Sequence, residues 1–511
     1  MTSTKTMPTI SSLKFINKIN AMCSTLKAET SDVSETDLIK TVLTGEFSNL
    51  ASTLIKDSEP PTILVRYDGR ADELTEEEAE CRSMLIKYDR NKNMFKMIFS
   101  QFGKIKSGEE CLEVLNKCKS DTKIEAEYCY DGTMFTSIWS NEDQKFIHMT
   151  RSCINANESY WHKMSYGEMF KDAMKKNGIK FELNKLFEKE CHYFTVLVDY
   201  RNKNIIDYSD QFADPQYSKI IFIAKRKNGS LIDVSVDSKQ VVDKGFMLSN
   251  KIEYTSVDDL VTQVREYDNE NTENKKIMHE GVVIKVYNKN NIYQVCKLQT
   301  DTFSLMKNIL PNNSNLWVRY IDLYRKNKIN EYSEFFSMDD STLKIINSTF
   351  LNLVTELRKI YFKTRNNSNQ ELYNILPKSY HRALYEIHGL FIQKKISKSE
   401  NANAEQGEKT EDKGDDKKED DTDDVIVKVE NNNLGITSTD INNYLRTVEI
   451  DLIQNLIIDR VYLINMFPKQ LYSQKIINVG CQDAYVLAKN INDDDEYVAL
   501  VNKFHRTFKQ T

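Results

Sequence analysis

The side chains best suited to chemistry in this chain fall in three short phrases, met in one order. Glu80-Cys81-Arg82-Ser83 comes first and Tyr130-Asp131-Gly132-Thr133 second; Glu280-Gly281-Val282-Val283 is third, followed closely by Val295-Cys296-Lys297-Leu298. They supply carboxylates, cations, and a glycine at 132 that lets the backbone turn close to whatever Asp131 serves. Two positions before Asp131 stands Cys129. A thiol there would be a nucleophile only with a lowered pKa, and no neighbour in sequence marks it as activated. An Asp-Gly pair occurs in many turns, so the phrases are specific only together. Competing chemistries find no support: there is no Walker loop, no Gly-x-Gly-x-x-Gly and no His-Glu-x-x-His. Cys191-His192, or Cys129 with any of the seven histidines, lacks the local signature of a thiol hydrolase. The nine cysteines never occur as Cys-x-x-Cys, which fits neither a disulfide framework nor a zinc site and implies reduced thiols.

Read in order, the phrases resemble the phage-type RNA ligase 1 family of covalent nucleotidyltransferases over about residues 60–305. That family has a Glu-Cys-Arg-Gly turn, a Lys-x-Asp-Gly nucleophile motif, a Glu-Gly motif and a Lys-x-Lys strand. The resemblance implies an α+β chain, with a nucleotidyltransferase-type antiparallel β-rich ligase domain followed by an all-α C-terminal domain. It also implies ATP and Mg²⁺ for an active enzyme. A lysine amine takes AMP from ATP, AMP passes to an RNA 5′-phosphate, and a 3′-hydroxyl displaces it. Such phosphoryl-type steps rest on positioning and charge neutralisation.

Carried over residue by residue, the resemblance puts Asp131 and Gly132 in the nucleophile loop but Cys129 at the lysine. The nearest upstream lysine, Lys123, is six positions away. Glu280 matches the glutamate that serves the metal, and Lys297 a lysine facing the α-phosphate. Gln299 stands at the strand's second lysine, where an amide can bond a phosphate without neutralising it. Arg82 matches the arginine of the first phrase, and Ser83 replaces its glycine. The basic strand residue falls at Thr150 or, shifted by one, at Arg151. Aligning Asn202-Lys203 on the family's Asn-Arg leaves Val196 at the middle carboxylate; only a shortened loop brings Asp199 there. Asp199 otherwise reads as an edge-of-strand residue facing water. Phe303 keeps the ring of a family tyrosine. The expected site is therefore Cys129, Asp131 and Gly132 for catalysis, Arg82, Arg151, Lys297 and Gln299 for nucleotide or phosphate, and Glu280 with Asp199 for metal.

The elements that must position these residues follow from patterning. Residues 1–300 read mainly as strands: 62–66, 84–88, 94–99, 133–139, 145–151, 193–199, 219–226, 231–236, 281–287 and 292–298. Asn228-Gly229 supplies a tight turn, and 108–118 and 166–176 read as helices. Beyond residue 300 the period becomes helical. Leu343, Ile346, Phe350, Leu353, Leu357 and Ile360 share one face; Ile441, Leu445, Val448, Leu452, Leu456 and Ile464 share another, with Thr437 and Asp440 as a cap. The expected division is an N-terminal helical or frayed segment at 1–58, the ligase-like domain at 59–303, and the helical domain at 304–398 and 425–511. Between the two helical parts lies a disordered acidic insert at 399–424.

Charge and composition bound the partners. The chain has 511 residues, 40% apolar and 29% charged, and a net charge of −6. The acidic insert holds twelve Asp or Glu against four Lys, a net of −8, so the remainder carries +2. This neither demands nor excludes nucleic acid. No run approaches the ~18 apolar residues of a membrane span, and the N-terminus lacks a signal pattern. An intracellular, cytoplasmic protein is expected, or one of a virion or viral factory.

Three readings of function remain open. The first is an RNA ligase-like pseudoenzyme that forms no covalent nucleotide and binds RNA, nucleotide or a protein partner. The second is an active ATP-dependent RNA ligase with an atypical nucleophile. The third is a structural or assembly protein of a large DNA virus, with which Asn/Lys/Ile-rich wording such as NKNNIY is compatible.

Overall fold

Alternating apolar residues separated by polar turns dictate hairpins, and hairpins dominate the first part of the computed structural model. Residues 13–30, 33–47, 49–55, 60–67, 74–161, 163–310, 313, 315–365, 369–407, 435–476 and 482–492 are described. The chain is α+β, with a β-rich first unit, Met1–Asn308, and a largely helical second unit, Ile309–Thr511.

The strands of the first unit are β1 (Leu50–Ile55), β2 (Thr62–Tyr67), β3 (Met84–Asp89), β4 (Met94–Ser100), β5 (Lys106–Ser107), β6 (Ile124–Tyr128), β7 (Thr133–Ser140), β8 (Lys145–Met149), β9 (Tyr160–Trp161), β10 (Met164–Ser165), β11 (Cys191–Asp199), β12 (Ser218–Lys227), β13 (Met247–Leu248), β14 (Gly281–Tyr287) and β15 (Tyr293–Gln299). A wholly antiparallel sheet runs β1-β2-β3-β4; a second runs β13-β12-β11-β7-β8 and a third β5-β15-β14-β6, antiparallel except that the short outer strands β13 and β5 pair parallel, with β9 and β10 as a small ribbon. Positive φ angles at Asn93, Gln144 and Asn291 shape the turns of three hairpins.

Each sheet buries one face against helices. Helix Lys14–Glu29 lies on the first sheet, packing Phe15, Ile16 and Ile19 with Ile63, Val65 and Phe95. Helix Tyr166–Lys176 covers the second through Met169, Phe170 and Ala173, beneath Phe135, Tyr193 and Leu197. Leu260 and Val264 of helix Val257–Glu273 cover the third with Cys111, Val282, Ile284 and Cys296. Even-numbered residues of β14 and β15 therefore face this core, and odd-numbered ones face the other way.

In the second unit, helix Asp340–Arg365 buries Ile346, Phe350, Leu353, Leu357 and Ile360, as its spacing predicts. Thr437 and Asp440 form the expected capping box. A bidentate ion pair, Arg460 to Glu356 at 2.7 Å on both arms, is buried within it.

Three expectations are corrected. Residues 231–236 form no strand: Asp233 makes an isolated bridge to Arg226, whose guanidinium its carboxylate binds at 2.6 Å, and the chain turns into helix Ser238–Asp243 capped by Asp237. The helix expected through Ile441 to Ile464 is two, Ser438–Thr447 and Ile450–Met466, because Val448 takes an extended ψ of 162°. The acidic stretch opens inside helix Lys378–Gly407, and its remainder, 408–424, lies outside the described residues. Among the described residues no helix is long and apolar enough to cross a membrane, and the eight described cysteines are free thiols.

Candidate functional site

The odd-numbered face of the third sheet looks across a slot at the second. Register places Glu127, Val283 and Lys297 side by side, with Lys285 beside Val295. Cys129 extends this ladder, its N–H donating to Gly281 O at 3.0 Å. Met134, Val196 and Ile221 line up across the facing strands. These residues, with Phe102 and Tyr130, enclose about 80 Å³, well below the roughly 300–1,000 Å³ of an ordinary ligand pocket.

The polar groups at this slot are bound to one another. Lys297 Nζ donates to Glu280 Oε1 at 2.7 Å, and Gln299 Nε2 donates to the same oxygen at 2.8 Å. Burial opposes ionisation of Glu280, but the Lys297 charge and bond outweigh it and hold the carboxyl below its usual range. Burial likewise opposes the Lys297 charge, while the Cys129 sulfur and the Glu280 carboxylate outweigh it and hold the amine above its ordinary value. The other lysine of the slot, Lys285, is closed on Glu127 at 2.7 Å. Cys129 is 2% exposed. Burial, then the Glu280 charge, raise its thiol above the ordinary value, the reverse of what a nucleophilic thiolate needs.

Asp131 faces the backbone after β11: its Oδ2 accepts from Ile205 N at 2.5 Å and Ile206 N at 3.2 Å, while its own N–H donates to Tyr208 Oη at 2.7 Å. Burial and the Glu280 charge push its carboxyl up to about 6, partly offset by those two N–H donors. At Gly132 a Cβ would sit 2.5 Å from Leu197 O, so β7 approaches β11 closely only because no side chain intervenes.

Asp199 is corrected outright. It does not face water but is fully buried at the end of β11, accepting from Arg201 Nε at 2.8 Å, Arg201 Nη2 at 2.9 Å and Ser218 Oγ at 2.6 Å. Val196, not Asp199, lines the slot. The divalent cation that the resemblance implies does not fit these residues: Glu280 Oε1 already takes the Lys297 and Gln299 donors, both Asp199 oxygens are taken by Arg201 and Ser218, and no group of three His, Cys, Asp or Glu able to hold a metal occurs among the described residues.

Arg82 and Arg151 are arranged differently. Arg82 lies in the turn between helix Glu76–Glu80 and β3, and Glu80 anchors that turn by accepting from Lys14 N and Phe15 N at 3.1 and 3.0 Å. The Arg151 guanidinium stands over the Tyr67 ring at 5.7 Å. Burial lowers the Arg82 pKa, and the nearby positive charge of Arg151 adds to the effect. Neither arginine pairs with a carboxylate among the described residues, and Arg82 Nε is buried without a partner, as are the hydroxyls of Ser83 and Thr150 beside them. Lys123 is remote from this arrangement, paired with Glu125 at 2.9 Å and lying over Tyr287.

Sequence reading missed Lys285, Arg201, Tyr208 and Asn271. Asn271, fully buried, binds the backbone of Met278 and His279 through its Oδ1 and so fixes the approach to Glu280. The strand alternation that puts Lys285 on the face of Lys297 was available; the other three depend on contacts between distant segments.

No family model and no curated protein matches the sequence. Among solved structures the chain is similar to two forms of an archaeal ATP-dependent RNA ligase. Form 1 is 11% identical with a TM-score of 0.36, covering 63% of this chain and 76% of that one; form 2 is 10% identical with a TM-score of 0.35, covering 61% and 71%. A putative ATP-dependent DNA ligase from Aquifex aeolicus is 12% identical with a TM-score of 0.35, covering 66% and 76%. The likeness is distant and concerns fold only.

Proposed function

We propose that this chain is a ligase-like protein that forms no covalent nucleotide and acts by holding a phosphorylated RNA end at Arg82 and Arg151. One contrast carries the reading: Lys297, Lys285 and Arg201 are each closed on a carboxylate, whereas Arg82 and Arg151 stand near each other with none among the described residues. Two guanidiniums with no carboxylate partner among the described residues repel, and a phosphate between them would relieve that repulsion while receiving charge-assisted hydrogen bonds. The closed Lys297–Glu280 pair and the protonated Cys129 thiol leave no activated nucleophile at the slot.

The test has two arms. Incubation with α-labelled ATP and Mg²⁺ is expected to leave no label after denaturation; acid-labile, alkali-stable label on a lysine would instead support the active-ligase reading and overturn this one. A short 5′-phosphorylated RNA is expected to bind about tenfold tighter than its 5′-hydroxyl counterpart, the worth of one charge-assisted contact. Arg82→Gln or Arg151→Gln should erase the difference. Equal binding of the two RNAs would remove the phosphate role.

A further inference from the structure

The core behind the third sheet holds two sulfurs that face away from the slot. β5 pairs with β15 so that Lys106 lies beside Cys296 and Ser107 beside Lys297. The chain then turns at Gly108 and enters helix Glu109–Asn116, whose first turn carries Cys111 back over β15. Both cysteines are fully buried in one apolar cluster with Leu115, Leu260 and Val282. There the two thiols meet and share a hydrogen bond. Only a short tether separates Cys111 from the strand neighbour of Cys296, so backbone pairing holds the contact in place.

A single free cysteine in such a core packs as a small hydrophobe and needs no further account. Two in contact differ, because one sulfur can serve as nucleophile toward the other once either is oxidised. The bond from Cys111 holds the Cys296 thiol below its ordinary value, opposed by burial and assisted by the Lys106 charge. The same bond, with burial, raises Cys111. Cys296 is therefore the sulfur that reacts first. Burial excludes bulky or charged oxidants such as a glutathione-type disulfide, and leaves a small neutral one, hydrogen peroxide.

We infer that Cys111 and Cys296 are a reversible dithiol–disulfide site, oxidised by hydrogen peroxide, that locks helix Glu109–Asn116 onto β15. The Cys296 sulfur attacks a peroxide oxygen; an S–O bond forms, the O–O bond breaks, and the leaving hydroxide departs with the thiol proton as water. The Cys111 sulfur then attacks the Cys296 sulfur; the S–S bond forms, the S–O bond breaks, and a second water leaves with the Cys111 proton. Two thiols and one peroxide give one disulfide and two waters. A dithiol reductant reverses the change by exchange. The bond closes a loop spanning most of the first unit, which restricts the unfolded chain, and it ties down the strand whose other face carries Lys297.

The inference is independent of the RNA reading and is tested on the full chain. The reduced protein is treated with hydrogen peroxide, its remaining thiols are blocked in denaturant, and its peptides are analysed by mass spectrometry without reductant. The expected product is a peptide pair joined through Cys111 and Cys296, which dithiothreitol separates. The thermal midpoint of the oxidised protein should rise by about 5 °C over the reduced one. Cys118, partly exposed and just beyond the same helix, is the competing thiol. Cys118→Ala should leave the yield of the link unchanged, and Cys111→Ala should abolish both the link and the rise. A link from Cys296 to Cys118, sulfinic acid at Cys296 with no link, or oxidation of Cys153 that leaves both buried thiols intact would each overturn the site. A lower midpoint in the linked protein would overturn the lock. Each of these outcomes is read on the wild type, so the test stands even if Cys111→Ala fails to fold.

Discussion

Lys297 Nζ and Glu280 Oε1 are 2.7 Å apart, with the glutamate side chain 4% exposed and the lysine 24%. A pair of this kind adds little when present and costs much when halved, because the survivor keeps its desolvation penalty. Lys297→Met is expected to lose about 3 kcal/mol of unfolding free energy in urea, and the double variant Lys297→Met/Glu280→Leu to recover most of it. Additive losses would show that the two charges act independently.

Asp131 links the same site to pH. Its folded carboxyl titrates at about 6, against about 3.9 when unfolded. Between those values the folded chain binds the additional proton, so stability falls as pH rises through the window, and the loss is complete above it. Asp131→Asn keeps an acceptor for Ile205 N and Ile206 N and removes the charge. Its expected effect is greater stability at pH 8, by on the order of 2 kcal/mol, and little change at pH 4. Urea titrations at the two pH values measure this, and a uniform shift at both would rule out the linkage.

The hairpins were legible because period-two alternation and turn residues are local signals, and β14 with β15 shows both. Residues 231–236 carry the same alternation but have no neighbouring strand to complete, so pattern alone misassigned them. Val448 fits the helical face it interrupts; the break comes from its backbone, which apolar spacing does not encode. At the site, Asp131, Glu280 and Lys297 were found by wording. The closure of Lys285 on Glu127, 158 residues away, and of Asp199 on Ser218 needs the folded register. Helix Val257–Glu273 escaped because it buries only Leu260, Val264 and Asn271, too sparse a stripe to read.

Asp199 distinguishes a metal ligand from a structural anchor. Three side-chain donors reach its carboxylate from Arg201 and Ser218, so Asp199→Ala leaves Arg201 without its principal partner. A loss of about 3 kcal/mol or more is expected, with no change in the effect of added Mg²⁺ on thermal unfolding. A Mg²⁺-dependent stabilisation seen in the wild type and absent in the variant would return Asp199 to the metal site.

Cys129 should be inert while the chain is folded. With the thiol buried and its pKa raised, iodoacetamide at pH 8 is expected to modify it at least tenfold more slowly than the more accessible Cys153, as read by peptide mass spectrometry over time. Denaturation should bring the two rates together. Fast native modification of Cys129 would mean an open slot and a populated thiolate, and would favour the atypical-nucleophile reading of the enzyme.

Gly281 sets where Glu280 sits, and its substitution separates two effects that glycines usually combine. Its φ is +133°, and a Cβ there would fall 2.1 Å from Leu298 O and 2.9 Å from Gln299 Cα. These are backbone atoms of the paired strand that carries Lys297. Gly108 also has a positive φ, +54°, but a Cβ there meets nothing within 4 Å. Gly108→Ala should therefore cost only its backbone conformation, φ +54° with ψ −129°, which side-chain-bearing residues rarely adopt, on the order of 2 kcal/mol. Gly281→Ala adds a collision that can be relieved only by moving β14 away from β15, and about 3 kcal/mol or more is expected. Because that movement also stretches the Glu280–Lys297 bond, Gly281→Ala should lower the free-energy gain measured when the pair is intact, whereas Gly108→Ala should leave it unchanged. Double-mutant cycles of each alanine variant with Lys297→Met distinguish the outcomes, and equal coupling in both cycles would show that Gly281 does not position the pair.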